Sequence, residues 1–116
     1  MEATILKFLD ILNNIKIFHW KTKSYAEHKA SDFLYGSLNG NMDKFAEVYL
    51  GEECTRFDFS QKRNISVQDH SKKAICTRVK DFVKHMEGLK LSGDLSNIRE
   101  ETIANCNQFL YLMTFD

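Results

Sequence analysis

Apolar residues recur every three or four positions along most of the chain, the spacing that lines them up on one face of an α-helix. From about Ala3 to Lys21, the residues Ile5, Phe8, Leu12, Ile15 and His19 form one such stripe. Leu6 and Ile17 fall on the opposite side and predict contact with something beyond the chain's own core, such as a second subunit. A second helix is expected from about Glu27 to Leu50, with Leu34, Leu38, Met42, Phe45 and Tyr49 on one side. Asn39-Gly40-Asn41 in its middle is turn chemistry, and Gly36 and Gly40 each cost a helix about 1 kcal/mol relative to alanine. The periodicity runs through both, so one continuous helix is expected, with Gly51 as its C-cap. Residues 52–64 read as a connection in which Phe57 and Phe59 are packed. A third helix is expected over about Val67 to Gly88, with Ser66 as N-cap and a stripe of Ile75, Val79, Phe82, Met86 and Leu89. Lys90 to Ser96 forms the last turn, and Asn97 with Glu100 resembles a capping box. The fourth helix then carries Ile98, Ile103, Cys106, Leu110 and Met113. Four amphipathic helices on shortish connections predict an all-α chain, an antiparallel four-helix bundle.

Composition narrows this further. The 116 residues contain no proline, which favours long helices over loop-rich or sandwich folds, and they suffice for a single domain. Sixteen basic and sixteen acidic residues give zero net charge. The broad positive footprint of a nucleic-acid binder is missing, and direct DNA binding is not expected. No apolar run approaches the roughly 20 residues of a membrane span. The start of the chain has no basic segment, and Asp10 interrupts its apolar stretch, so no membrane partner and no secretory signal are expected. Cys54, Cys76 and Cys106 are odd in number and form no CxxC pair. They read as reduced thiols of an intracellular, cytoplasmic protein, with a Cys76–Cys106 disulfide as the alternative.

The candidate chemistry lies in the first half of the chain. A lone histidine in an apolar stripe, such as His19, is more often a hydrogen-bonded core residue than a ligand. His28 and Asp32 are one helical turn apart, as are Asp43 and Glu47, and like charges at that spacing repel unless solvent or a cation relieves them. Together, His19, His28, Asp32, Asp43 and Glu47 form a mixed nitrogen and oxygen donor set that suits iron, manganese or zinc. Asp32 and Asp43 lie about 16 Å apart along a helix, and His28 and Glu47 about 28 Å, so one metal cluster cannot span them. Two copies of the helix running antiparallel about a twofold axis would bring His28 and Asp32 of one chain opposite Asp43 and Glu47 of the other. Gly36 and Gly40, between the two halves, would permit close approach. If these residues are ligands, the spacing predicts a homodimer that shares its metal site.

The stretch HWKTKSYAEHKASDFLYGSLNGNMDKFAEVYL, residues 19–50, resembles the helix-pair signature of the Dps family, the mini-ferritins. The likeness rests on His19-Trp20, on His28 followed by Asp32, and on Asp43 followed by Glu47, with Tyr35, Met42 and Ala46 between them. The resemblance implies a ferritin-like bundle with an intersubunit ferroxidase site. There Fe(II) would bind to His19, His28, Asp32, Asp43 and Glu47 and be oxidised to Fe(III) by peroxide or oxygen. It also implies a homodimer that assembles into a higher oligomer or cage, with Trp20 packed near the site. Two alternatives stay open at this point: a structural or assembly protein, for instance a component of a larger particle, and a zinc or manganese bundle without redox chemistry.

Overall fold

The computed structural model describes residues 1–116. Four helices carry the chain: α1 (Glu2–Lys21), α2 (Tyr25–Glu53), α3 (Lys72–Glu87) and α4 (Gly93–Leu112). Each packs on two neighbours, α1 on α2 and α3, and α4 on α2 and α3. The C-terminal end of α1 meets the N-terminal end of α3 where Lys21 Nζ donates to the His70 carbonyl at 2.7 Å. Lys72 joins the same end to α2 through Glu27 at 3.9 Å and to the chain's tail through the Phe115 carbonyl at 3.3 Å. At the far end, Thr4 and His85 share a hydrogen bond of 3.0 Å, and the Ser92 hydroxyl donates to the Glu52 carboxylate. The direction is therefore up, down, down, up, with one long crossover between α2 and α3, a connectivity that ferritin-like bundles share.

The core is built as the periodicity predicts. Phe8, Phe45, Ile15, Leu34, Leu38, Ile75, Val79, Met86, Cys106 and Phe109 are fully buried. Phe8 lies at its centre, 5.6 Å from the Phe45 ring on α2 and 5.0 Å from the Phe82 ring on α3. Asn39-Gly40-Asn41 does not break α2. Leu38 and Phe45 on either side are locked into the core, and Asn41 Nδ2 donates to Asn105 Oδ1 on α4 at 2.8 Å. Tertiary packing outweighs the local turn preference here. No helix is long and apolar enough to cross a membrane. The three cysteines are free thiols, and burial pushes the Cys106 thiol up to about 12.

Several helix ends differ from the expectation. Gly51 lies inside α2, whose C-cap is Cys54 in the left-handed region at φ 52°. The helix runs on past Gly51 to Glu53, and Glu52 in its last turn accepts from the Ser92 hydroxyl at the base of α4. The third helix starts at Lys72 rather than Val67, capped by Ser71, whose hydroxyl accepts from the Ala74 amide at 3.1 Å. The fourth starts at Gly93, which puts Asn97 inside it and removes the capping box. Residues 54–71 form the crossover and lie along α1. Glu2 accepts from the Asp58 amide at 2.9 Å. Buried Asn14 holds the strand at two points, Nδ2 donating to the Ser66 carbonyl at 2.9 Å and Oδ1 accepting from the Gln68 amide at 3.3 Å. Phe57 stacks on Tyr49 at 5.8 Å, while Phe59 is 41% exposed.

Because Phe8 joins three helices, Phe8→Ala should lower the unfolding free energy by about 3–5 kcal/mol. Urea denaturation with an unchanged slope is the check, and a loss under 1 kcal/mol would contradict this packing.

Candidate functional site

The five candidate ligands divide into a pair that meets and three that do not. Helix α1 ends at Lys21 and α2 begins at Tyr25, a connection so short that His19 and His28 face each other across it. Their rings stack with centroids 3.8 Å apart and planes at 18°. His19 Nδ1 donates to the His28 carbonyl at 2.9 Å, and His28 Nδ1 donates to the His19 carbonyl at 3.0 Å. Ser31, fully buried, completes the clasp: its hydroxyl donates to the Glu27 carbonyl at 2.8 Å and accepts from His19 Nδ1 at 3.1 Å. A carbonyl oxygen can only accept, so each Nδ1 carries a proton, and each neutral ring keeps its lone pair on Nε2. Neither Nε2 has a hydrogen-bond partner in the chain. A ligating histidine is commonly fixed in this way, with its other nitrogen donating to a carbonyl.

The local sequence explains the turn. The Ser24 hydroxyl accepts from the Glu27 amide at 3.2 Å as the N-cap of α2. Thr22 donates to the Glu27 carboxylate at 3.0 Å and accepts from the Ser24 amide at 3.2 Å. These bonds satisfy donors that the start of the helix leaves free.

Asp32, Asp43 and Glu47 are exposed on the side of α2 away from the core, and none has an ion-pair or hydrogen-bond partner. No three His, Cys, Asp or Glu side chains in the chain gather closely enough to hold a metal ion. Gly36 and Gly40 share this outer face, and a Cβ added at either would meet nothing within 4 Å. Trp20 is not packed beside the histidines as expected. It is 70% exposed, with Lys16 Nζ 5.6 Å from its ring centre and 4.5 Å from that of Tyr35. Tyr25, 75% exposed, stacks loosely on His28 at 6.4 Å.

Sequence reasoning missed two residues. Ser31 gave no signal, since a serine inside a helix is unremarkable until a histidine needs its hydroxyl. His70 has no second metal-binding residue paired with it in the sequence. It is 3% exposed, with neither ring nitrogen hydrogen-bonded. Burial, then the charges of Arg78 and Lys21, hold its imidazole below the ordinary value despite the opposing pull of Asp69 and Asp10.

Comparison with known proteins corrects the expected kinship. A stretch of 33 residues is 58% identical to the "Uncharacterized 14.6 kDa protein in mobD-ri intergenic region" of Enterobacteria phage T4; it covers 28% of this chain and 26% of that protein, so the match spans about a quarter of the relative's length. No solved structure matches. The family model that fits residues 19–113 is not that of the Dps proteins. The motif that suggested them is explained locally: His19 and His28 clasp a tight helical hairpin, and the acidic pairs line a solvent face of α2. By the match over residues 19–113, the chain belongs to the family described as "Family of unknown function (DUF5856)".

Proposed function

We propose that the protein binds a divalent metal ion in a site built between two antiparallel copies of α2. His19, His28 and Asp32 would come from one chain, and Asp43 and Glu47 from its partner. The observation that carries this reading is the clasp, which leaves an unpartnered Nε2 lone pair on both histidines beside a helix face whose carboxylates are also unpartnered. The chain alone gathers too few donors, and the twofold arrangement supplies the rest twice over. The donor set suits iron, manganese or zinc. With Fe(II) as substrate, oxidation by peroxide balances as two Fe(II) and two protons per peroxide, giving two Fe(III) and two waters, and carboxylates suit the ferric product. The free thiols support a reducing compartment.

A second reading, a structural dimer without metal, is favoured by Lys29. It is exposed on the same outer face as Asp32 and Glu47, and antiparallel pairing would bring it to the partner's Glu47. The histidine clasp would then serve only the hairpin.

Metal binding separates the two. Asp43→Ala with Glu47→Ala should weaken Fe(II) and Zn(II) binding at least tenfold while helicity and melting stay unchanged, because neither side chain has a partner within the chain. Equal titration curves for the variant and the parent would refute the metal site. Sharing is tested by mixing. His28→Ala and the double acidic variant should each be inactive alone, yet after mixed refolding they should regain roughly a quarter of the sites, one in each mixed dimer. No recovery, with mixed dimers present, would place the ligands within one chain.

The glycines supply an independent check. Gly36→Ala with Gly40→Ala should stabilise the isolated chain by about 1 kcal/mol per site, since both positions are open. The same variant should sediment as a monomer where the parent is a dimer. A dimer that persists would remove the helix-to-helix contact.

A further inference from the structure

His70 closes the upper end of the crossover. Its carbonyl accepts a hydrogen bond from Lys21 Nζ, and its ring is buried with both nitrogens unpartnered. Three side chains of α1 hold this segment down: Glu2 at Asp58, Asn14 at Ser66 and Gln68, and Lys21 at His70. The contacts above Asp58 are few, and most of residues 58–69 are exposed. The charged groups facing the imidazole are Lys21 and Asp10 on α1, Arg78 on α3 and Asp69 on the crossover itself. Asp10 is already committed to Arg78 by a direct ion pair.

We propose that residues 64–71 are a pH-sensitive strap, held against α1 while His70 is neutral and released when His70 takes a proton. A second proton on the buried ring has no acceptor, and the cation would sit near the Lys21 ammonium and the Arg78 guanidinium. Released, the strap gives the imidazolium to water, and Asn14 loses its two backbone partners. The direction of the linkage follows. A histidine held below its ordinary value of 6.5 when packed binds its proton more readily when released. Packing is therefore at full strength well above pH 6.5 and weakens as the pH falls through that value, approaching about tenfold per pH unit until the packed ring itself titrates.

Amide exchange reads the release directly. Corrected for intrinsic rates, exchange of the Gln68 amide should speed up about fivefold between pH 6.5 and 5.5, and at each pH it should far outpace that of buried Thr102 in α4, which opens only with the bundle. In His70→Leu, exchange at Gln68 should not depend on pH over that range. This separates His70 from His85, which burial and Lys7 also hold low, at the opposite end of the bundle. No acceleration at Gln68, exchange there as slow as at Thr102, or the same acceleration in His70→Leu would overturn the proposal. Should the leucine variant not fold, NMR titration of the parent decides: His70 titrating below 6.5 supports the strap, and titration at or above 6.5 overturns it.

Discussion

The bundle depends on one constraint of connectivity: α2 and α3 descend in the same direction at opposite corners, so the chain must climb the full length of the molecule between them. A bare extended segment on a helix leaves its backbone groups to find partners. Asn14 supplies two of them at once, because a primary amide carries a donor and an acceptor in the same plane. Neither leucine nor aspartate could serve both the Ser66 carbonyl and the Gln68 amide. The helix side chains that hydrogen-bond to the backbone of the crossover all belong to α1. The segment therefore stays on the α1 side and leaves the outer face of α2 uncovered, with Asp32, Asp43 and Glu47 on it.

The parts of the fold legible in the sequence were those set by burial. Ile5, Phe8, Leu12 and Ile15 on α1, or Ile75, Val79, Phe82 and Met86 on α3, repeat at the helical period and are buried accordingly. Helix ends were less legible because capping residues are common and several compete. Ser24 with Glu27 has capping-box spacing and does open α2, whereas Asn97 with Glu100 has the same spacing and lies inside α4. What separates them is tertiary: Ser92 is tied to Glu52 at the base of the bundle, which fixes where α4 must begin. The periodicity alone extends the third helix back to Val67, but residues 67–70 lie in the crossover along α1, and the helix starts at Lys72.

The candidate site was legible to a similar degree. That Asp32, Asp43 and Glu47 share one outer face of α2 follows from period alone. The meeting of His19 and His28 does not follow from period, since it depends on a three-residue turn and on carbonyls at the end of one helix and the start of the next. The likeness to the Dps proteins came from the same residues. A histidine near each end of a tight hairpin and acids one turn apart on a solvent face are arrangements that helical pairs reach for reasons of packing and hydration, and the family match lies elsewhere.

The histidines of the chain show how environment divides one side chain into different roles. His19 and His28 each have Nδ1 satisfied by a carbonyl, which fixes the ring and leaves one lone pair to offer. His85 is bonded to Thr4 and ties α3 to the first turn of α1. His70 has no partner at either nitrogen, so its burial opposes a proton without offering a ligand position. An imidazole held by one hydrogen bond keeps a fixed orientation and a free lone pair, whereas one held by none is kept in place by packing alone. The clasped pair and the buried ring lie at the same end of the bundle, joined through Lys21, two residues beyond His19 and bonded to the backbone of His70. Release of the strap would therefore cost α1 its Lys21 anchor, two residues beyond the histidine of the clasp.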